Sequence, residues 1–432
     1  MKISFAFKRA FSLIKAIPKI RSCSPRRIFT AKPTTKEEQT TFNCPVCDSP
    51  RMKVFYRLAD VPASCNFLWA SKEAATNCPR GNIKLAFCPV CSFITNVALE
   101  PTKNVYTELY DNSLFYSTRF QDFTKQLAAE LVQRFDIHNK AIIEIGGGKV
   151  DFLSELCKLG NNHGQRLNPF YLQEETKYQR TNYSAVSIPK FQSDVYDRVE
   201  ADFVFSYHEL EHVNYPRKFL HNLRKMISRN PEVRVFFTVP NALTDLEGGC
   251  FEEIIYEHVS YFTPASLSFL FSRCGFNVLH VEETKGDFGS IFIDATIRTQ
   301  AKSSLKSVSK PEISQIEDCV ISFADKTNSI IEKNGRRIRQ LLDQGKRVVM
   351  WGAGSRGVTL LNVFRDLCIE YAVDVNPRKQ GKYVPGTGQE IIAPTSLSDY
   401  QPDYIVLANS TYEKEIREIV NNLEIETEFI TI

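Results

Sequence analysis

The sequence predicts an α/β protein with a doubly wound parallel sheet at its centre, a small cysteine-knuckle module in front and a Rossmann-like unit behind. Three observations carry this. Cys44-Pro-Val-Cys47 and Cys88-Pro-Val-Cys91 are two copies of one tetrapeptide. The apolar run Ala141-Ile142-Ile143-Glu144-Ile145 ends in Gly146-Gly147-Gly148 and leads into Phe152, Leu153, Leu156 and Leu159, a helical period closed by Gly160. Arg347-Val348-Val349-Met350-Trp351 likewise ends in Gly352-Ala353-Gly354-Ser355-Arg356-Gly357 before a helix with Val358, Leu360 and Leu361. Two strand–glycine turn–helix units predict two sheets with helices on their faces. The expected divisions are a basic leader or tail over residues 1–40, the knuckle module over 41–105, the central domain over 106–300 and the last domain over 312–432.

At 432 residues the chain exceeds what a single core organises. With 43% apolar and 24% charged residues it is ordinary globular material. No apolar run approaches the ~18 residues of a membrane span, so no membrane-crossing segment is expected. The net charge of +4 predicts no general nucleic-acid surface. Residues 1–36 hold ten Lys or Arg and no acid, with Phe5, Phe7, Phe11, Leu13 and Ile14 among them. That composition fits either an organelle-targeting amphipathic helix or a solvated tail. Twelve cysteines without a signal peptide point to a reducing compartment, and the cytoplasm is the expected location.

Each C-x-x-C knuckle offers two thiolates to one tetrahedral ion, so Cys44, Cys47, Cys88 and Cys91 are the expected ligands of a structural Zn2+. A redox pair is the alternative. Ile83-Lys84-Leu85-Ala86-Phe87 reads as a strand leading into the second knuckle. Cys65 and Cys78 lack the spacing and read as buried thiols.

In the central domain a helix is expected through Phe120, Phe123, Leu127, Leu131 and Phe135. Asp202-Phe203-Val204-Phe205 and Val233-Arg234-Val235-Phe236-Phe237 are buried-strand runs separated by a helix from Pro216, which implies parallel pairing. The Glu144-x-Gly146-x-Gly148 turn differs from a dinucleotide fingerprint by the acid before the glycines. Such an acid suits the cationic amino-acid end of S-adenosylmethionine (SAM), and a tight structural turn is the other reading. Asp194 is a weaker candidate for the adenine side.

Tyr207-His208-Glu209-Leu210-Glu211-His212 follows a strand at the edge where ligands bind in such sheets, which makes His208 a candidate substrate contact. A metal is not expected there, because H-x-x-x-H converges on one ion only from a continuous helix. Tyr256-Glu257-His258 is a candidate acid/base cluster, a histidine beside a carboxylate and a phenol being suited to moving protons near neutral pH. It precedes Thr263-Pro264, a capped helix start. A histidine that merely fixes the loop is the alternative.

Thr299 to Pro311 reads as a linker, followed by a helix through Ile316, Val320 and Phe323 that ends near Asn334-Gly335, with a shorter segment beyond. Gly352, Gly354 and Gly357, with Asp374 about 20 residues past the glycines, have the spacing of a phosphate and ribose site. The domain is short for a whole dinucleotide, so a single nucleotide, a substrate diphosphate or a purely structural unit remain open.

The order of these motifs resembles the three-domain SAM-dependent sugar C-methyltransferases: a zinc-binding domain, a class I methyltransferase core and a C-methyltransferase C-terminal domain. The resemblance rests on Tyr256-Glu257-His258-Val259-Ser260-Tyr261-Phe262, Leu210-Glu211-His212, Trp351-Gly352-Ala353-Gly354, the run Val373-Asp374-Val375-Asn376-Pro377-Arg378-Lys379-Gln380-Gly381, and Pro385-Gly386-Thr387-Gly388. It implies that Tyr256, Glu257 and His258 deprotonate a nucleotide-linked keto-sugar beside its carbonyl, the carbanion then taking methyl from SAM. It also implies that the last domain, through residues such as Asn376, helps hold the sugar nucleotide.

Two positions depart from that pattern. Val150 stands where a glycine is usual, and Asn168, at the end of the second strand, stands where an acid accepts the ribose hydroxyls. Asn accepts one hydrogen bond but brings no charge. The competing expectations are a non-catalytic protein that binds SAM or a sugar nucleotide on a degenerate site, and an NAD-dependent oxidoreductase built on Gly352, Gly354, Gly357 and Asp374.

Overall fold

A computed structural model describes residues 42–103, 107, 109–146, 152–167, 178–180, 183–186, 199–284, 289–299 and 307–432. The leader over 1–40, Gly148, Val150, Asn168 and Asp194 lie outside the described residues.

The chain first forms β1 (Lys53–Pro62), β2 (Arg80–Phe87) and β3 (Ile94–Asn96), an antiparallel meander. The second knuckle follows β2 directly, as the apolar run before it predicts. A helix over Thr118–Arg134, capped by Ser117, then turns Phe120, Leu127, Ala128 and Leu131 inward.

Next come β4 (Ala141–Ile145), β5 (His163–Leu167), β6 (Tyr178–Arg180), β7 (Tyr183–Val186), β8 (Phe203–Tyr207) and β9 (Arg234–Pro240). β4, β5, β7, β8 and β9 pair in parallel. β8 and β9 are apolar and buried on both faces, which is what a parallel sheet sandwiched by helices requires.

β10 (Ser260–Tyr261) leaves this sheet and pairs antiparallel with β3, so the first sheet takes its fourth strand from the central domain. Phe262 then enters a helix over Pro264–Arg273, started by Thr263 in a capping box with Ser266. The predicted Thr-Pro start is therefore in place.

β11 (Phe276–Glu283) and β12 (Ser290–Ile297) complete the central sheet in the order β11-β12-β9-β8-β4-β5-β7-β6. β12 runs antiparallel to both neighbours. The strand order reverses at β4, whose neighbours are β5 and β8. A crevice therefore opens beyond the carboxyl ends of those strands.

One helix spans Lys310–Asp343, where the sequence predicts a break after Asn334-Gly335. The helix continues because Asn334 turns its side-chain amide back to the Ile330 carbonyl at 3.0 Å and the bare Cα of Gly335 faces the Phe364 ring. Its first half packs on the N-terminal sheet, Phe323 meeting Tyr56 edge-on at 4.9 Å. The last domain is fully parallel, with β13 (Val348–Trp351), β14 (Tyr371–Val373), β15 (Glu390–Ile392), β16 (Tyr404–Leu407) and β17 (Glu428–Thr431) in the order β15-β14-β13-β16-β17. Its order reverses at β13, directly before Gly352.

Among the described residues, no helix is long and apolar enough to cross a membrane.

Candidate active site between two facing sheets

The two knuckles share one backbone design. In each, the first cysteine carbonyl accepts from the amide four residues on, Asp48 at 2.9 Å and Ser92 at 2.9 Å. Both of those residues take positive φ, 65° and 56°. This tight turn aims all four sulfurs at one point: they lie within 4.8 Å of one another, with Cys44–Cys91 and Cys47–Cys88 at 3.5 Å. A tetrahedral ion with metal–sulfur bonds of about 2.3 Å needs sulfur–sulfur edges of about 3.8 Å, so the donor set fits such an ion.

A cavity of about 360 Å³ lies where the carboxyl ends of the central and last sheets face each other. Such a volume suits a small molecule. Of the residues the sequence singles out, Glu144, His208, His258, Gly352, Gly354, Gly357, Asp374 and Asn376 line it. Gly146, Tyr256 and Glu257 do not.

Gly146 has φ 84°, and a Cβ there would strike the side chain of Glu209. The positive φ is what favours glycine at this turn, with the Glu209 side chain lying against it. Glu144, expected to face a cation, already has one: Arg166 on β5 is ion-paired to its carboxylate, and Glu144 is only 1% exposed. Phe120, Phe152 and Tyr207 form the aromatic wall beside this turn, and the His208 ring stacks on Tyr207 at 4.5 Å.

His208 takes φ 51° and places Nε2 at 2.9 Å from the Ser290 hydroxyl. His212 and His258 meet edge to face at 5.0 Å. His212 places Nδ1 at 3.1 Å from the Glu257 carbonyl. Since a carbonyl only accepts, Nδ1 carries the proton and Nε2 keeps its lone pair. Burial pushes the His208 imidazole down to about 3 and that of His212 to about 4. His258 is held well below the usual value by burial first and then by His212 and His208, so it is neutral.

The predicted triad separates. Residues 256 and 257 form a turn, and the Tyr256 ring runs back over Gly81, where any Cβ would collide with it. The Tyr256 hydroxyl accepts from the Glu100 amide at 2.8 Å, and the side chain is fully buried. The Glu257 carboxylate accepts from the Cys65 amide at 3.0 Å and the Ser64 hydroxyl at 3.3 Å and is hydrogen-bonded to Tyr110, so it sits behind the part of the cavity wall that Tyr110 forms. Of the three, His258 alone faces the cavity.

Across the cavity, Asp374 accepts from the Ala353 amide at 2.9 Å and the Asn376 amide at 2.8 Å. Lys379, 5% exposed, lies 3.8 Å from the Asp374 carboxylate and donates to the Ala353 carbonyl at 3.1 Å. Asn376 reaches Asp111 at 3.2 Å and accepts from the Arg378 amide at 2.9 Å. Gly357 permits close packing, since a Cβ there would run into the Gly352 carbonyl. Arg356 crosses to the central domain and pairs with Glu253.

Sequence reasoning did not assign Glu209, Glu211, His212, Arg356 or Lys379 to the site, although all five line the cavity. Lys379 and Glu211 sit in runs that the resemblance quotes, but local pattern does not tell a buried charge from a surface one.

Residues 118–281 match the family described as a methyltransferase domain, and residues 289–432 match the C-methyltransferase C-terminal domain. The C-methyltransferase NovU of Streptomyces niveus is 28% identical over 194 residues. That alignment covers 43% of this chain and 46% of NovU, so it spans less than half of that relative. Among solved structures, human N-acetylserotonin methyltransferase in complex with SAM is 14% identical, with 42% of this chain and 55% of that one covered and a TM-score of 0.33. Magnesium protoporphyrin IX methyltransferase from Synechocystis PCC 6803 is 15% identical, with 42% and 84% covered and a TM-score of 0.31. Scores of this size add nothing to the strand pairings, which already give the class I methyltransferase order. The chain thus carries, in this order, a match to a methyltransferase domain and a match to a C-methyltransferase C-terminal domain.

Proposed function

We propose that the protein is a SAM-dependent C-methyltransferase acting on a nucleotide-linked keto-sugar or a related small metabolite. The observation that carries this reading is the shared cavity: two sheets turn their strand-order reversals toward one space, with a neutral histidine on its wall. One sheet suits SAM, over the Gly146 turn and near Glu144 and Glu209. The other suits the acceptor, whose phosphates would meet Lys379 and Arg356.

When bound, SAM supplies an electrophilic methyl group. His258 takes the proton from the carbon beside the acceptor's carbonyl; the C–H pair becomes the new C–CH3 bond, and S-adenosylhomocysteine leaves. Burial keeps the His258 lone pair free, and the negative charge developing on the acceptor raises the ring's basicity as the proton moves. Glu257 positions this loop through Ser64 and Cys65 rather than touching the acceptor. One Zn2+ on Cys44, Cys47, Cys88 and Cys91 holds the module that supports Glu257 and Tyr256.

The test is solvent-deuterium exchange at the acceptor carbon, with S-adenosylhomocysteine in place of SAM. Exchange in the parent but not in His258→Asn supports the reading, and equal exchange in both removes His258 from the role.

The Glu144–Arg166 pair favours a second reading, in which the glycine turn is structural and the protein binds without catalysing. Calorimetry with SAM tests the turn, since stoichiometric binding that weakens in Glu144→Ala makes it a ligand site, and the exchange experiment then separates catalysis from binding alone. For the ribose side, Asn168→Asp should tighten SAM if Asn168 meets its hydroxyls.

A further inference from the structure

We propose that Glu211, His212 and His258 form a second metal site, distinct from the four cysteines, that takes a borderline divalent transition ion such as Zn2+ or Co2+ through one carboxylate oxygen and two imidazole nitrogens. The sequence argues against a metal in the His208–His212 run, because a strand-end loop does not bring residues four apart onto one ion. The fold supplies the missing ligand from elsewhere. The Val259 amide donates to the Glu211 carbonyl at 2.8 Å, lacing the two loops together and setting His258 opposite Glu211 and His212. One potential ligand atom from each of the three lies within 4.8 Å of those of the other two. Ligand atoms around a bound ion stand about 3–3.5 Å apart, so small side-chain rotations close the set.

Two further observations point to a ligand. Glu211 is 1% exposed and lines the cavity, yet its Oε2 has no hydrogen-bond partner among the described residues. Leaving a carboxylate oxygen buried and unsatisfied is costly, and a cation is one of the few partners that removes the cost. The tautomer of His212 also suits a ligand: its Nδ1–H is fixed on the Glu257 carbonyl, the outer hydrogen bond that metal-bound histidines characteristically make, so Nε2 is the unprotonated nitrogen. Three protein ligands beside an open cavity leave coordination positions for a solvent or substrate oxygen.

The site does not depend on methyl transfer. It shares His258 with the proposed acid/base step, so a bound ion and the transferred proton compete for one lone pair. The ion would therefore inhibit turnover rather than support it.

The experiment uses the full chain, loaded with one zinc per molecule and then titrated with Co2+. Calorimetry should count a second equivalent, and its visible spectrum should show d–d bands of nitrogen and oxygen ligation without thiolate-to-cobalt charge transfer. Glu211→Gln and His212→Asn should each weaken that equivalent by at least about tenfold. Glu211→Gln is isosteric with the buried carboxyl, so its folding is the safer of the two. No equivalent beyond the zinc in the parent, a thiolate spectrum, or a second equivalent indifferent to both variants would overturn the site. None of these readouts involves SAM or acceptor, so a failed site leaves the proposed function standing, and the reverse.

Discussion

The two glycine turns that face each other across the cavity are built alike up to one residue. In both, the first glycine follows the strand at which the order reverses, and its amide donates to the last residue of the neighbouring strand: Gly146 to the Leu167 carbonyl at 2.7 Å, Gly352 to the Val373 carbonyl at 2.8 Å. The divergence comes next. After Val373, Asp374 turns back into its own loop, taking two amides and Lys379, and Gly357 seats its helix on the Gly352 carbonyl. At the other turn the atoms nearest to where a Cβ on Gly146 would stand belong to the flexible side chain of Glu209. A glycine fingerprint thus reports that something approaches the backbone closely. Whether that something is a ligand or the chain itself is decided by neighbours that the motif does not contain.

If chemistry belongs to the central side of the cavity, His258→Asn should lower turnover by about 10²- to 10⁴-fold while SAM affinity stays within a factor of a few. A parallel fall in both would make the histidine structural. Next in size, Gly357→Ala should cost about 2–4 kcal/mol in denaturant unfolding, because its new methyl meets an immovable backbone carbonyl. Gly146→Ala should cost only about 1 kcal/mol, the penalty of a positive φ, since Glu209 can rotate aside. Equal losses would break the comparison. Smaller than the Gly357→Ala loss, Asp374→Asn should remove about 1–3 kcal/mol by weakening charge-assisted bonds that hold the Gly352 loop. Thermal unfolding with and without an acceptor would read it.

A further effect is pH-dependent and lies where the two sides touch. Burial, and then the neighbouring Glu253, push Glu252 up to about 7. Between the usual glutamate value and 7 the folded state therefore binds more protons than the unfolded one, and stability falls as pH rises through that window. Glu252→Gln removes this loss, so the variant should gain about 1–2 kcal/mol on the parent above pH ~7 and match it below pH ~4.5. Urea melts at both pH values check this.

Much of the scaffold was legible because its strands are apolar on both faces: β4, β8, β9, β13, β14 and β16 announce themselves as short buried runs. β12 was not, since Asp294 interrupts its pattern and is met by Arg234 from β9 at 3.2 Å. In the candidate site, His258 and the glycines were readable from type and spacing. Tyr256 misled for a physical reason. Adjacent polar residues look like one cluster in a sequence, but a turn at 256 and 257 sends the phenol toward Gly81, a partner that no local pattern reveals.

β10 is only two residues long, yet it makes the N-terminal and central regions share a sheet. A fragment cut at residue 105 would leave Ser260 and Tyr261 with bare backbone groups at an edge meant to be covered, and would strip Glu257 of Ser64 and Cys65 just before His258. Inactivity of the isolated central domain would then carry no information about whether the cysteine-rich module touches a substrate. Swapping that module between relatives would in the same way transplant one strand's template, so β3 and β10 have to be exchanged as a pair for a chimera to report on specificity at all.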